Sequence, residues 1–354
     1  MTPAHTDSHY LAQGLLAAVR AQNFGATPDN DHGGAPVAQF PSIDLAVAAF
    51  GPTGKARWAN VLFSREHPHG LVAPIGSNAT AVQGLRFDAD QQDAGGESVV
   101  WAQSTDWQKL KWQPLQGTGP LRVVAPYPAS LLKLMVAVGV AQAVDRGLTP
   151  WPAALAPMIE VSDNNATDTC VALLHKLGMV GALNVGLAEM GLHTLQLNDT
   201  TPRGGWRNAD GAGVGHIHMT AWDTVRLLWL LNADAPPPPW LPAGTQLLTP
   251  ATRAHLRGVL ARQQLDEILS SGNLRGVPGW VPGLPDAPAF AHKTGTTDNY
   301  ASDAGIVRGP DGTHYIVAVL TSLGRRYAPH ARCATTWRLP ALGAAVHQLV
   351  KTMT

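Results

Sequence analysis

The sequence predicts an α+β fold in which one antiparallel sheet, built from both chain ends, is flanked by helices and carries an inserted all-helical subdomain. Strand-like segments joined by hairpin turns lie near both ends of the chain. Helical apolar patterns occupy the middle, over residues 129–289. A length of 354 residues with 45% apolar residues is enough for such a body to bury a substantial core.

Residues 1–41 are predicted to form an N-terminal helix and loop extension, and residues 42–354 a single domain. The apolar run from Leu11 to Val19 leads into Arg20, which is typical of a short amphipathic helix. Residues 23–41 are rich in Gly, Pro, Asn and Asp and have no apolar period, as in a connecting loop.

Residues 42–128 and 290–354 are expected to supply most of the sheet. Two apolar runs, Ile43 to Phe50 and Ala56 to Phe63, flank a Pro/Gly turn and predict a hairpin. Shorter apolar pieces, Ser98 to Ala102 and Leu121 to Ala125, are given no order. Three strands and a last helix are predicted near the C-terminus, at His292 to Gly295, Ala304 to Arg308, His314 to Thr321 and Leu342 to Met353.

Residues 129–289 are expected to be mainly helical. The segment from Ser130 to Val144 is apolar almost all round and is followed by Arg146-Gly147, which predicts a buried helix with a glycine stop. Further helical patterns cover Asn165 to Leu177, Val180 to Met190 and Thr220 to Leu231, the last with Thr220 as N-cap.

Composition excludes several classes of function. Lys+Arg and Asp+Glu balance at 25 each, so no net field favours nucleic acid or an anionic membrane surface. No stretch approaches the length of a membrane span, and Met1 to Gln13 lack the basic and apolar regions of a secretory signal. We therefore expect a cytoplasmic protein, or a periplasmic or secreted one if the true start differs. The oligomeric state is not predicted.

No metal or redox site is predicted. Cys170 and Cys333 are expected to be buried, and whether they form one disulfide stays open. His216 and His218 would lie on one side of a strand by alternation, but no third metal ligand is near them in the sequence. The eleven tryptophans are dispersed and are interpreted as core and rim residues.

Three short motifs in order indicate nucleophilic catalysis. They are S-x-x-K at Ser130 to Lys133, S-D-N at Ser162 to Asn164, and K-T-G at Lys293 to Gly295. A lone S-x-x-K is expected about once in a chain of this length, whereas each tripeptide would arise by chance in roughly one such chain in twenty or thirty. Their joint occurrence favours a functional site over ordinary helix N-caps and turns.

The first motif pairs a nucleophile with a base. Positions i and i+3 share one helix face, so the Lys133 amine can approach the Ser130 hydroxyl. A serine hydroxyl needs such a base, and a lysine serves as one when burial and a second cation, here Lys293, destabilise its ammonium form. The helix N-terminus also favours the oxyanion that forms when Ser130 attacks.

The other two motifs would complete the site. Ser162 is the candidate proton shuttle to the leaving group, and Asn164 a donor to the substrate amide. The strand of Lys293 is suited to pair with an extended substrate, Gly295 permits close backbone approach, and the Thr296 N–H can act as a second oxyanion donor.

The motifs and their contexts resemble the serine β-lactamase and penicillin-binding protein superfamily, most closely the class A β-lactamase-like branch. The contexts are PASLLKLMVAVG, MIEVSDNNATD and HKTGTTDNYASDAGIV, and the resemblance covers about residue 120 to the C-terminus. It implies a catalytic domain that forms an acyl-enzyme on Ser130 with Lys133 as general base and needs no metal or organic cofactor. It assigns Ser162 and Asn164 to the second element of the site, and Lys293 and Thr294 to the third.

The spacing and the substrate-binding residues depart from the class A pattern. Only 28 residues separate Lys133 from Ser162, fewer than that branch usually has, which predicts a more open cleft on that side. The arginine often found shortly after the third motif is replaced near Ala301. Recognition of a substrate carboxylate is then left to Thr294, Thr296 or another arginine.

The class A glutamate that activates the deacylating water has no clear counterpart. Glu189 and Glu267 do not stand where the corresponding loop would be, and Asp199 is the nearest acidic substitute. Three functions on a small-molecule substrate therefore remain open. The first is β-lactam hydrolysis, the second an esterase, amidase or D-peptidase activity on a cell-wall or biosynthetic substrate, and the third a penicillin-binding sensor that is acylated without turnover.

Overall fold

The computed structural model describes residues 3–52, 54–91, 98, 109–117 and 119–353. Within them the α-helices are α1 (Pro3–Ala21), α2 (Lys133–Asp145), α3 (Leu155–Glu160), α4 (Asn164–Lys176), α5 (Met179–Glu189), α6 (Ala221–Leu231), α7 (Pro250–Leu260) and α8 (Arg338–Lys351). The strands are β1 (Pro28–Asp29), β2 (Ala35–Pro36), β3 (Ile43–Phe50), β4 (Ala56–Phe63), β5 (Leu71–Val72), β6 (Leu85–Ala89), β7 (Pro114–Gln116), β8 (Leu121–Ala125), β9 (Gln196–Leu197), β10 (Ile217–His218), β11 (Phe290–Thr296), β12 (Ala301–Arg308) and β13 (His314–Thr321).

Strands from both chain ends meet in one six-stranded sheet, in the order β11-β12-β13-β3-β4-β5. Its neighbouring strands pair antiparallel. The hairpin of β3 and β4 and the last strand, β13, have the predicted bounds. The predicted α+β fold is thereby confirmed, with β11 and its K-T-G motif at one edge of the sheet.

Helices cover both faces of this sheet. On one face, Leu15 of α1 and Val346 of α8 share a buried apolar cluster with Val47 of β3. Ala46, the preceding residue of β3, belongs to the cluster that contains α2 and α6 on the opposite face, because successive residues of a strand point to opposite sides. Although the sequence predicts residues 1–41 as an extension, α1 is part of the packed body.

The buried helix predicted from Ser130 begins as a 3-10 turn at Ala129–Leu132 and continues as α2. Thr220 caps α6 by accepting a hydrogen bond from the Asp223 N–H, as predicted. The last helix, α8, starts four residues before the predicted Leu342, because Pro340 is tolerated in the first turn of a helix.

Several short elements were not predicted, including α3, α7 and β6. A signal for α7 was present, since Thr249 is its N-cap and Pro250 its first residue. Of the apolar piece at 98–102, only Ser98 lies within the described residues.

Cys170 and Cys333 are buried and free, so they do not form the disulfide that the sequence left open. Of the described helices, none alone has the length and apolar character to cross a membrane, and α4 with α5 meets those criteria only as a pair bent by 89°.

Candidate active site

Ser130 lies in the turn before α2, on the wall of a cavity of about 330 Å³. The preceding Ala129 has a φ of 51°, a left-handed conformation that is uncommon for a residue with a Cβ. The Ser302 hydroxyl donates a hydrogen bond of 2.5 Å to Pro128 O and so ties the turn to β12. This constrained backbone presents the half-buried Ser130 side chain to the cavity.

The K-T-G strand lies directly against this turn. A Cβ at Gly295 would lie 2.4 Å from Pro128 O and 2.6 Å from Leu131 N, closer than real Cβ contacts. Only glycine therefore lets β11 approach the Ser130 turn so closely. Thr294 is buried, and Thr296 lines the same cavity as Ser130.

Lys133 is fully buried, and its amine contacts the S-D-N motif. Nζ lies 2.7 Å from Ser162 O, 3.0 Å from Ser162 Oγ and 2.8 Å from Asn164 Oδ1. Among the described residues, the amine makes no hydrogen bond to Ser130 in this resting arrangement. A buried amine must satisfy its donors, and the start of α4 offers three acceptors within reach.

Lys293 also contacts Ser162. It is also fully buried, and its Nζ lies 3.0 Å from Ser162 Oγ and donates to Thr294 O at 2.7 Å. One hydroxyl thus stands between two buried amines. The structure therefore brings the three motifs together at one place.

Burial changes the protonation of both lysines. Burial, together with the weaker effect of the Arg207 charge, lowers the pKa of Lys133 to about 7 against the opposing effects of Asp163 and Asp168. The pKa of Lys293 lies well below its ordinary value because of burial and the nearby charge of Lys133. Near neutral pH a substantial fraction of Lys133 is consequently uncharged and able to accept a proton.

The local backbone explains how the S-D-N motif faces the lysines. Ser162 has a left-handed φ of 56°, and Asp163 is the N-cap of α4, where its side chain accepts the Ala166 N–H at 2.7 Å. The capping role that these residue types commonly fill thus falls to Asp163. Ser162 and Asn164 are left to contact Lys133.

Seven residues of the cavity lining were not predicted as site residues, among them Tyr127, Trp206 and Arg207. Trp206 is buried, its Nε1 donates to Asp168 Oδ1 at 2.7 Å, and Lys133 Nζ lies 5.3 Å from its ring centroid. A Trp-Arg pair inside a Gly/Pro-rich loop was the available signal, since binding residues concentrate on loops held by a rigid scaffold. Their dispersed positions in the sequence had indicated only core and rim roles for the tryptophans.

Asp199, the suggested substitute for the deacylating glutamate, is exposed and does not line the Ser130 cavity. Its carboxylate lies 2.5 Å from His216 Nδ1, and it is not among the residues that line the Ser130 cavity. Within the described part of that lining there is no carboxylate.

The predicted alternation of His216 and His218 is wrong. His216 precedes β10 in a turn and is partly exposed, whereas His218 lies in the strand and is buried, because the strand begins only at Ile217. The described residues contain no group of three or more His, Cys, Asp or Glu that could hold a metal ion.

Comparison with known proteins adds a family match. The model of a family described as the beta-lactamase enzyme family matches residues 148–335, slightly more than half of the chain. The matched range includes Ser162 and Lys293 and begins after Lys133. No curated protein matches the chain.

Solved structures provide a fold comparison. A beta-lactamase from Sphaerobacter thermophilus DSM 20745 is 15% identical, with 96% of this chain and 98% of that chain covered and a TM-score of 0.51. The structure of PBP-A is 18% identical over 89% of this chain and 91% of that one, with a TM-score of 0.44. The TLA-3 extended-spectrum beta-lactamase is 14% identical over 95% and 98%, with a TM-score of 0.48. The first of these likenesses shows a shared fold.

Proposed function

Because the chain belongs to the beta-lactamase enzyme family, we propose that it is a serine hydrolase that forms an acyl-enzyme on Ser130. One observation carries the proposal: Ser162 Oγ lies 3.0 Å from the amines of both Lys133 and Lys293, beside the cavity that Ser130 and Asn164 line. Burying two amines is unfavourable, so a purely structural core gains nothing from this arrangement. Two buried amines with lowered pKa values are, by contrast, suited to proton transfer at a serine nucleophile.

In the proposed acylation step, the Ser130 oxygen attacks the carbonyl carbon of an amide, ester or β-lactam. The Ser130 proton passes to the lone pair of the neutral Lys133 amine, whose two N–H groups donate to Ser162 O and Asn164 Oδ1. The hydrogen bond to Ser130 forms when substrate closes the site, as is common for catalytic hydrogen bonds that are long in the free enzyme.

Leaving-group departure uses the second hydroxyl. As the carbonyl C–N or C–O bond breaks, Ser162 gives its proton to the leaving atom and receives one from the Lys133 ammonium. Lys133 returns to the neutral amine, and the acyl group stays on Ser130. Backbone N–H groups of Ser130 and Thr296 stabilise the oxyanion in this scheme, and the Asn164 side-chain amide binds the substrate amide.

Hydrolysis of β-lactams is the proposed activity, with water releasing the acyl group from Ser130. An amidase, esterase or D-peptidase activity is the second candidate. It is favoured by the cavity lining, whose described residues provide no carboxylate to activate water, while Asp199 pairs with His216 instead. A penicillin-binding sensor is the limiting case in which the acyl group is not released.

Intact mass spectrometry after incubation with a penicillin tests this proposal. We expect an adduct of the penicillin mass that the Ser130→Ala variant does not form and that the Ser77→Ala variant, changed at an exposed serine, still forms. Decay of the adduct with release of ring-opened product supports β-lactam hydrolysis, whereas a persistent adduct supports the second candidate or the sensor. Turnover of a D-Ala peptide or small ester separates those two. An adduct on Ser130→Ala would contradict the proposal.

A further inference from the structure

The lining of the Ser130 cavity includes a positively charged side chain. Of its described lining residues, Arg207 is the one with a charged side chain. The remaining ones are apolar, aromatic, hydroxyl or amide side chains, namely Tyr127, Ala129, Ser130, Asn164, Trp206, Asn208, Ala209, Thr296 and Thr297. An anionic group of a ligand would therefore find a cation and no described carboxylate in this lining.

The Arg207 side chain is held by the aromatic ring next to it. Its guanidinium carbon lies 5.3 Å from the ring centroid of Trp206, and Trp206 is itself buried and anchored by the hydrogen bond to Asp168. Stacking on a fixed ring restricts the side chain before any ligand binds, so less conformational entropy is lost on binding. The guanidinium is thereby oriented before a ligand binds.

Most of the Arg207 donors are available. Within the described residues, the guanidinium makes one hydrogen bond, a 3.5 Å contact from Nη2 to Asp168 Oδ2 at the outer limit for such a bond. A guanidinium has five N–H donors in a fork that matches a carboxylate. The side chain is 45% exposed, so a ligand in the cavity can reach it.

The two lysines of the site do not offer such a cation. Lys133 and Lys293 are fully buried, and their amines donate hydrogen bonds to Ser162 O and Thr294 O respectively. The first arginine after Gly295 in the sequence is Arg308, at the far end of β12, where it pairs with Asp234.

We propose that Arg207, stacked on Trp206, binds a carboxylate on the substrate and makes the enzyme prefer acyl donors that carry one a few bonds from the scissile carbonyl. This inference rests on the proposed acyl-enzyme chemistry and names its substrate class. Arg207 acts here as a specificity residue, and its effect on the pKa of Lys133 is the same for a charged and an uncharged substrate.

The test compares two isosteric esters, the 4-nitrophenyl monoester of adipic acid and the corresponding adipamate, which differ only in carboxylate against carboxamide. The ratio of their kcat/KM values isolates the charge. We expect the wild-type protein to prefer the acid and Arg207→Gln to lower this ratio about 10- to 100-fold, the range for a lost hydrogen bond to a charged group. Arg207→Lys should keep part of the preference, and high salt should weaken it.

Arg203→Gln is the matched control. Arg203 is an exposed arginine of the same loop that lines the neighbouring cavity and not the one around Ser130, so its ratio should equal that of the wild type. An equal ratio in wild type and Arg207→Gln, with Ser130 still acylated, overturns this inference and leaves the proposed function intact. Failure of both esters and of a penicillin to acylate the wild type overturns the proposed function and this inference with it.

Discussion

The Ser162 hydroxyl lies 3.0 Å from the fully buried Lys133 amine, within hydrogen-bond distance. The Lys293 amine lies 3.0 Å from the same hydroxyl. A proton can therefore move along a short path between Ser162 and two amines whose pKa values burial has lowered, that of Lys133 to about 7.

Removing that hydroxyl tests the path. In Ser162→Ala we expect the rate constant for Ser130 acylation to fall about 100-fold or more, the usual contribution of a positioned proton-transfer group. Stopped-flow absorbance with a chromogenic cephalosporin measures it. Thr169→Ala on the exposed face of α4, where the hydroxyl donates to Asn165 O, is the control and should acylate normally. An unchanged rate in Ser162→Ala would exclude the shuttle.

Gly295 should be required for the site to assemble. In Gly295→Ala the new Cβ would fall 2.4 Å from Pro128 O, so β11 must move away from the Ser130 turn. We expect a loss of about 1–3 kcal/mol in the free energy of unfolding and strongly impaired acylation. Gly181→Ala in α5, where nothing lies within 4 Å, should instead raise stability by about 0.5–1 kcal/mol. Urea unfolding measures the stability of both variants. Equal stability of Gly295→Ala and wild type would contradict the close contact between β11 and the Ser130 turn.

Asp199 is expected to be dispensable for turnover. Its carboxylate is exposed and paired with His216 away from the cavity lining, so Asp199→Asn should change steady-state kcat by less than about twofold and stability by less than about 1 kcal/mol. Mass spectra recorded during turnover provide the check. Accumulation of an acyl-enzyme in Asp199→Asn alone would restore the aspartate as the deacylating base.

His292 should stabilise the protein through its charge. Burial disfavours the cation, but Asp303 at 2.7 Å and Asp266 at 3.2 Å outweigh that effect and raise the pKa of His292 to about 9. Because the folded-state pKa exceeds the ordinary 6.5, this stabilisation is complete below about pH 6.5 and is lost as pH rises through about 9.

We accordingly expect His292→Gln to lower the free energy of unfolding by about 3 kcal/mol at pH 6, with a smaller difference from wild type at pH 10. Urea titrations at the two pH values measure the difference, and His9→Gln, at an exposed histidine, is the control. A difference that does not depend on pH would show that His292 is buried as the neutral ring.

Much of the fold could be predicted because it follows from local patterns. The apolar strands β3, β4 and β13 and the hairpin turn between the first two are specified by neighbouring residues, and so is the Thr220 cap of α6. The place of a helix in the sequence, however, does not show which other elements it packs against. The sequence identified α1 as an amphipathic helix but not the sheet face that it covers, which depends on α8 more than three hundred residues away.

For the site as well, the residues in local motifs were predictable and their packing contacts were not. The three motifs name Ser130, Lys133, Ser162 and Lys293, and the structure brings their elements together. Which acceptors Lys133 uses, and that Trp206 and Arg207 line the cavity, depend on how α4 and the loop after β9 pack against α2. No spacing in the sequence encodes those contacts.

The pH dependence of Ser130 acylation under single-turnover conditions tests the central claim most directly. We predict that the rate constant rises with pH through about 7 and then levels off, because Lys133, whose pKa burial lowers to about 7, must lose its proton before it can accept one. Lys133→Arg, which stays charged, should be slow at every pH and lack this rise. A wild-type profile that is flat across neutral pH, or that rises only near the ordinary lysine pKa of 10.5, would contradict the account.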